Sequence, residues 1–122
     1  MTAATLRYLT HGYGSPVLLI HTATAPNAVL HVLPALPREL WPPSLAAVWA
    51  ASAAITSMYG PPSPRPLEYT PPHDADDMLD RAWAHGDEHV IKFTDTAAEV
   101  FARTTDPRAL AADHAIRLLE RS

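Results

Sequence analysis

Residues 43–59 read Pro-Ser-Leu-Ala-Ala-Val-Trp-Ala-Ala-Ser-Ala-Ala-Ile-Thr-Ser-Met-Tyr, and this stretch decides the fold class. Its apolar residues recur at spacings of three, four or a multiple of a helical turn: Leu45, Val48, Trp49, Ile55 and Met58. Alanine, the strongest helix former, fills most of the other positions. Ser44 is a candidate N-cap and Gly60 a candidate C-terminal stop. The pattern predicts a helix over residues 43–59.

Segments on both sides of this helix also favour helical structure. Residues 17–25 are short and ambiguous between strand and helix, and we interpret them as helical. Residues 27–33 resemble a short helix that Pro34 ends, because the residue before a proline is disfavoured in helical backbone. Downstream, an acidic first turn at Asp74 predicts a short helix to about Ala84.

The last third of the chain predicts two more helices. Gly86 is a candidate kink or break, after which residues 89–103 have strong helical character. Residues 104–107 predict a stop. Asp106 as N-cap and Pro107 at the first helical position then predict a final helix.

Thirteen prolines punctuate the helices, because they cluster within residues 34–43 and 61–72. The second cluster has polyproline II character and could serve as a recognition ligand, although a plain extended connector is the favoured interpretation. Alternating strand patterns and glycine-rich phosphate loops are both missing. We therefore predict an all-α fold: one small helical domain over residues 1–122, with about four to six helices and proline-rich connectors.

The composition argues against several classes of function. A net charge of -4 and a single lysine argue against nucleic acid and anionic membrane surfaces as partners. The absence of cysteine excludes disulfides, thiolate metal sites and a cysteine nucleophile. The longest apolar stretch near the N-terminus, residues 16–20, is far shorter than the roughly 20 residues that span a bilayer. We expect a cytoplasmic protein.

The segment with the most chemistry is His-Gly-Asp-Glu-His-Val-Ile-Lys-Phe-Thr-Asp-Thr, residues 85–96. If its backbone is helical, His85, His89, Lys92 and Thr96 fall on one face, and an apolar stripe continues that face. Burying an unpaired ammonium or imidazolium costs several kcal/mol, and binding a metal ion is one reason to do so. Two imidazoles one turn apart can reach a single ion.

A simpler interpretation is also open. With seven histidines, a His-x-x-x-His pair arises readily by chance. Asp87 or Glu88 could instead form ion pairs with Lys92 or Arg81. Five aromatic residues could line a pocket for a flat substrate, but at helical spacing they are more often core: Trp41, Trp49, Trp83, Phe93 and Phe101.

Three blocks of sequence resemble a known family. They are Val-Leu-Leu-Ile-His-Thr-Ala-Thr-Ala-Pro (residues 17–26), Leu-Pro-Ala-Leu-Pro-Arg-Glu-Leu-Trp (33–41) and His-Gly-Asp-Glu-His-Val-Ile-Lys-Phe-Thr (85–94). Their order and spacing are similar to the C-terminal part of questin oxidase-like proteins. The resemblance covers residues 14–118, and the His-Gly-Asp-Glu-His block is its most specific element.

This resemblance implies an oxidoreductase of the oxygenase type, which opens a ring of an anthraquinone or a related aromatic polyketide with molecular oxygen. It implies a non-haem iron ion held by histidines and by a lysine converted to its carbamate. Lys92 matches that lysine, and His21, His85 and His89 are the matching imidazoles. NADPH is a possible reductant, although no nucleotide-binding motif is present. Histidine and carboxylate ligands suit both iron and zinc.

The family's members are several times longer, and their N-terminal region is expected to supply further ligands. A second chain or self-association would then complete the site. In the alternative, the chain is a non-catalytic helical module that binds a metal or another protein. Four histidines lie outside the matching blocks and are left out of the predicted site: His11, His31, His73 and His114.

Overall fold

A computed structural model describes residues 1–67 and 71–120. Within these residues the chain forms six α-helices and no strand, which confirms the predicted all-α class. The helices are α1 (Thr2–His11), α2 (Pro16–Val32), α3 (Trp41–Tyr59), α4 (Ala75–His85), α5 (Glu88–Thr104) and α6 (His114–Glu120). Short 3-10 segments join them at Gly12–Gly14, Leu33–Ala35, Arg38–Leu40 and Pro107–Asp113.

The N-terminal half departs from the predicted pattern in two places. Helix α1 has no counterpart in the sequence predictions. Residues 17–25 and 27–33 are helical as predicted, but they form one helix that runs through Pro26. A proline inside a helix removes one backbone hydrogen bond. Here the buried Asn27 side chain ties that part of α2 to α5, donating to Thr96 Oγ1 at 3.2 Å.

Helix α3 is confirmed, with a corrected start. It begins at Trp41, so Pro42 and Pro43 occupy its first turn, where their missing N–H groups cost nothing. Ser44 therefore lies inside the helix and is not its N-cap. Gly60 does end it, with its N–H donating to Thr56 O at 2.8 Å.

The predicted break at Gly86 is confirmed and separates two capped helices. Asp74 begins α4 by accepting a hydrogen bond from Asp77 N at 2.8 Å. Gly86 then adopts left-handed backbone with φ of 83°, which glycine takes at little cost. Asp87 caps the N-terminus of α5. The prediction of a single continuous helix face over residues 85–96 is therefore wrong, because His85 ends one helix and His89 lies in the first turn of the next.

The final helical segment begins at Pro107 as predicted, but its first part is a 3-10 helix rather than an α-helix. Asp106 accepts from Arg108 N at 3.0 Å, and Pro107 is the first residue of the 3-10 segment Pro107–Asp113. The chain then continues as α6.

Helix α5 lies at the centre of the core. Its buried face packs against α1, α2, α4 and the Pro107–Asp113 segment. Phe93 is fully buried, with its ring centre 4.5 Å from that of Tyr8 on α1. Burial raises the pKa of the Tyr8 hydroxyl, which donates to Pro16 O at 3.0 Å.

Helix α3 lies at the edge of the molecule. It packs chiefly against α2, and none of its residues is fully buried. Trp49 and Met58 are each 73% exposed. The alanine-rich sequence therefore makes a stable helix whose large apolar side chains stay on the surface.

One described stretch passes a test of length and composition for a membrane span. The stretch Pro16–Ala35 contains an 18-residue window with a mean hydropathy of 1.3, and 33% of that window is buried by protein. This is weak support for a span, because core helices pass the same test. The polar side chains of His21, Asn27 and His31 contact residues of α5, which favours a core helix.

Candidate metal centre

The predicted ligands come from three helices. His21 lies on α2, His85 is the last residue of α4, and His89 and Lys92 lie in the first two turns of α5. Asp87, between α4 and α5, sets the start of α5 and so fixes the position of His89.

The structure brings His21 and His89 together. Their ring centres lie 5.6 Å apart, with an interplanar angle of 81°. Both side chains are partly buried. A metal–nitrogen distance of about 2.1 Å places the ring centres of two imidazoles on one ion about 4.5–6 Å apart. The observed separation falls in that range, and it is equally the separation of an ordinary edge-to-face ring contact.

Asp87 holds His89 from the other side. Its Oδ1 accepts from His89 N at 2.8 Å and from Val90 N at 3.3 Å, and lies 3.4 Å from His89 Nδ1. Burial alone would raise the pKa of Asp87, but these backbone hydrogen bonds and the His89 imidazole together hold it below its usual value. A carboxylate beside one ring nitrogen orients the imidazole. The other ring nitrogen of His89, Nε2, lies 3.8 Å from Glu88 Oε1.

His85 does not join this pair. Its Nδ1 accepts from Asp87 N at 3.3 Å, and its Nε2 lies 4.0 Å from Glu120 Oε1 on α6. Both ring nitrogens therefore face partners of the α4–α5 connection and of α6. His85 therefore stabilises the α4–α5 connection, and its ring would have to turn before it could bind a metal ion.

Lys92 lies on the surface rather than on a core face. Its side chain is 62% exposed, and its Nζ lies 3.8 Å from Glu88 Oε2. The prediction that Lys92 shares the buried stripe is wrong, because neighbouring positions such as Val90, Phe93 and Ala97 form the buried face of α5 and Lys92 extends into solvent. The alternative ion pair between Glu88 and Lys92 is confirmed.

The described residues do not assemble a full ligand set. Over residues 1–67 and 71–120, no group of three or more histidine, aspartate or glutamate side chains is arranged to hold a metal ion. Catalytic sites of this kind usually use at least three protein ligands. The structure therefore brings two of the four predicted ligands together, His21 and His89, and leaves Lys92 on the surface.

The aromatic residues divide between core and surface. Phe93 is core, as favoured, whereas Trp83 is 70% exposed and Trp49 is more exposed still. Trp41 donates to Leu36 O at 3.1 Å and lies beneath the Arg38 guanidinium. The prediction of core is therefore wrong for Trp49 and Trp83. Helical spacing identifies one helix side but cannot say whether anything covers it.

Sequence reasoning missed the role of Asp87 as the residue that holds His89. An aspartate directly after Gly86 and before a helical segment is an N-cap signal that would have found it.

The chain was compared with protein-family models, curated proteins and solved structures, and none matches it. The resemblance to questin oxidase-like proteins therefore stays a prediction based on the three quoted blocks.

Replacing Asp87 tests the cap that positions His89. Asp87→Ala is expected to lower the free energy of unfolding by about 1 kcal/mol near pH 7, because two backbone N–H groups lose their acceptor. Folding lowers the pKa of Asp87. The carboxylate therefore contributes its full stabilisation above the pKa that it has in the unfolded chain, and this stabilisation is lost as the pH falls through the pKa that it has in the folded protein. Urea denaturation of wild type and variant near pH 7 and below about pH 3 should show the difference shrinking at low pH. Asp87→Asn, which keeps an acceptor oxygen, should stay close to wild type near pH 7.

Proposed function

We propose that this chain is an oxygenase-type oxidoreductase, or the metal-holding component of one, acting on an anthraquinone or related aromatic polyketide. The observation that carries the proposal is the His21–His89 pair. These residues are 68 positions apart, lie in two of the blocks that resemble questin oxidase-like proteins, and have ring centres 5.6 Å apart.

In this proposal His21 and His89 hold non-haem iron together. Asp87, 3.4 Å from His89 Nδ1, keeps the His89 ring oriented. Nε2, which lies 3.8 Å from the exposed Glu88 carboxylate, would exchange that partner for the metal. When bound, the iron activates molecular oxygen for ring opening. Zinc remains the competing metal, because imidazole suits both.

Lys92 has a conditional role. It lies one turn after His89, and its ammonium forms a weak ion pair with Glu88 on the surface. A neutral lysine amine can add carbon dioxide to form a carbamate. For that carbamate to reach the metal, the long Lys92 side chain must turn away from Glu88 and towards α2.

Metal sites of this kind usually have at least three protein ligands, so the proposed ion needs ligands besides His21 and His89. A second copy of the chain or another polypeptide would supply them and part of the substrate cavity. A cytoplasmic location also belongs to this proposal.

A non-catalytic helical module is the second candidate. It is favoured by the exposure of Lys92 and by the lack of a three-residue ligand group over the described part of the chain. In that case the histidine pair would be a structural contact between α2 and α5.

Turnover by the purified chain separates the two candidates. The chain would be incubated aerobically with Fe(II), bicarbonate and a hydroxyanthraquinone, with and without NADPH, and products would be analysed by mass spectrometry under labelled oxygen. We expect a ring-opened product that carries label and requires His21. A product that needs NADPH indicates oxygen insertion, whereas one formed without it indicates dioxygen-dependent carbon–carbon cleavage. Absence of product in every arm would contradict oxygenase activity of this chain by itself, and absence of specific iron binding as well would favour the module.

A further inference from the structure

A second site lies on the opposite side of α2 from the histidine pair. A cavity of about 620 Å³ opens between α1, α2 and α3, and a smaller one of about 210 Å³ adjoins it. The two share Ala4, Arg7, Thr22 and Thr56 in their walls, so together they form one trough. Neither His21 nor His89 lines either cavity.

The walls of the trough are mostly apolar at one end. Pro26 and Leu30 of α2 face Leu45, Val48 and Trp49 of α3 across the larger cavity. Its volume is in the range of sites that enclose small molecules, about 300–1,000 Å³. Trp49 is 73% exposed, so a ligand there would cover apolar surface that the protein itself leaves in water.

The other end carries positive charge. Arg7 lines both cavities and His11, one turn later on α1, lines the smaller one. Among the residues that the structure describes, no acidic side chain lines either cavity. Across residues 1–67 and 71–120, the Arg7 side chain has no ion-pair partner. His11 Nδ1 lies 2.8 Å from Thr10 Oγ1, which leaves Nε2 to face a ligand.

We propose that this trough binds an anionic amphiphile with a single apolar chain, such as a long-chain carboxylate. The carboxylate lies against Arg7 and His11, and the alkyl chain extends between Leu30 and Trp49. A guanidinium makes charge-assisted, often bidentate, hydrogen bonds to a carboxylate. The apolar chain gains burial from the exposed side of α3. This binding is independent of the proposed oxygenase function, because the trough and the histidine pair share no residue.

Tryptophan fluorescence can report ligand binding in the trough directly. In the Trp41→Phe/Trp83→Phe protein, Trp49 is the remaining tryptophan and it lies in the trough wall. Dodecanoate would be titrated below its micelle concentration, beside dodecan-1-ol and dodecyltrimethylammonium as neutral and cationic chains of equal length. We expect a saturable blue shift with dodecanoate, and an affinity about tenfold or more above that for dodecanol.

Arg7→Gln separates charge recognition from simple apolar adsorption. It is expected to remove the preference for dodecanoate over dodecanol while leaving helicity unchanged, because Arg7 is exposed. Arg103→Gln is the matched control, since Arg103 is an exposed arginine on α5 that lines neither cavity, and it should keep the preference. Equal binding of all three chains, or an unchanged preference in Arg7→Gln, would overturn the proposal. If dodecanoate binding is lost as the protein concentration rises, a second copy of the chain covers the trough instead, which would also overturn the proposal.

Discussion

Phe93→Ala is expected to lower the free energy of unfolding by about 3–5 kcal/mol, because it removes the largest fully buried side chain and leaves a cavity at the centre of the core. The Phe93 ring packs 4.5 Å from the Tyr8 ring, so the change also loses an aromatic contact between α5 and α1. Small domains have total stabilities of about 5–15 kcal/mol, so the loss is a large fraction of the total. Urea denaturation followed by circular dichroism measures it.

Phe101→Ala provides the matched control for this core substitution. Phe101 lies two turns later on the same helix and is only partly buried. Its removal should therefore cost clearly less than that of Phe93. Equal losses in the two variants would contradict the central position of Phe93. If Phe93→Ala does not fold, Phe93→Leu provides a milder version of the same test.

His21→Ala and His89→Ala are each expected to weaken Fe(II) binding by at least about a hundredfold, because either change leaves one imidazole where two were shared. The titration would be anaerobic, with bicarbonate present and the bound metal read by elemental analysis after desalting. Lys92→Ala belongs in the same series. It should weaken iron binding if Lys92 turns towards the metal, and should have no effect if it stays paired with Glu88.

His31→Ala controls for the loss of a histidine from the same helix. His31 is an exposed residue of α2 whose Nε2 lies 2.6 Å from Glu99 Oε1, far along the helix from His21. Its replacement should leave iron affinity unchanged. Equal affinities in His21→Ala, His31→Ala and wild type would contradict the shared site.

The sequence predicted the helices well where their ends carry chemical signals. Asp74, Gly86 and Asp106 mark helix ends through local hydrogen bonding or backbone freedom, which depend on few neighbours. Pro26 misled the prediction, because the contacts of α2 outweigh one lost backbone hydrogen bond. Local rules therefore locate most boundaries, and packing decides the exceptions.

The candidate site was only partly predictable for a related reason. The resemblance placed His21, His85, His89 and Lys92 in one site, and the structure brings the rings of His21 and His89 to 5.6 Å from each other. The position of His85 did not follow, because the left-handed Gly86 starts a new helix and rotates its faces relative to the previous one. Lys92 lies in the same helix as His89, but its long side chain extends to solvent beside Glu88. The 3.6-residue period applies only within one unbroken helix.

The surface of α3 shows the limit of periodicity itself. Trp49 sits at a spacing typical of a core face, yet most of it is exposed. Spacing reports that a helix has an apolar side. The neighbours that bury such a side are set by the tertiary arrangement, which the local pattern does not contain.

Proton NMR of the histidine rings during anaerobic addition of substoichiometric Fe(II) tests the shared site most directly, since a paramagnetic ion broadens the signals of the rings that bind it. The account predicts that the His21 and His89 signals broaden together at the lowest additions, while those of His31 and His73 stay sharp. Broadening of His21 or His89 alone, or equal broadening of all histidines, would contradict a metal ion held between α2 and α5.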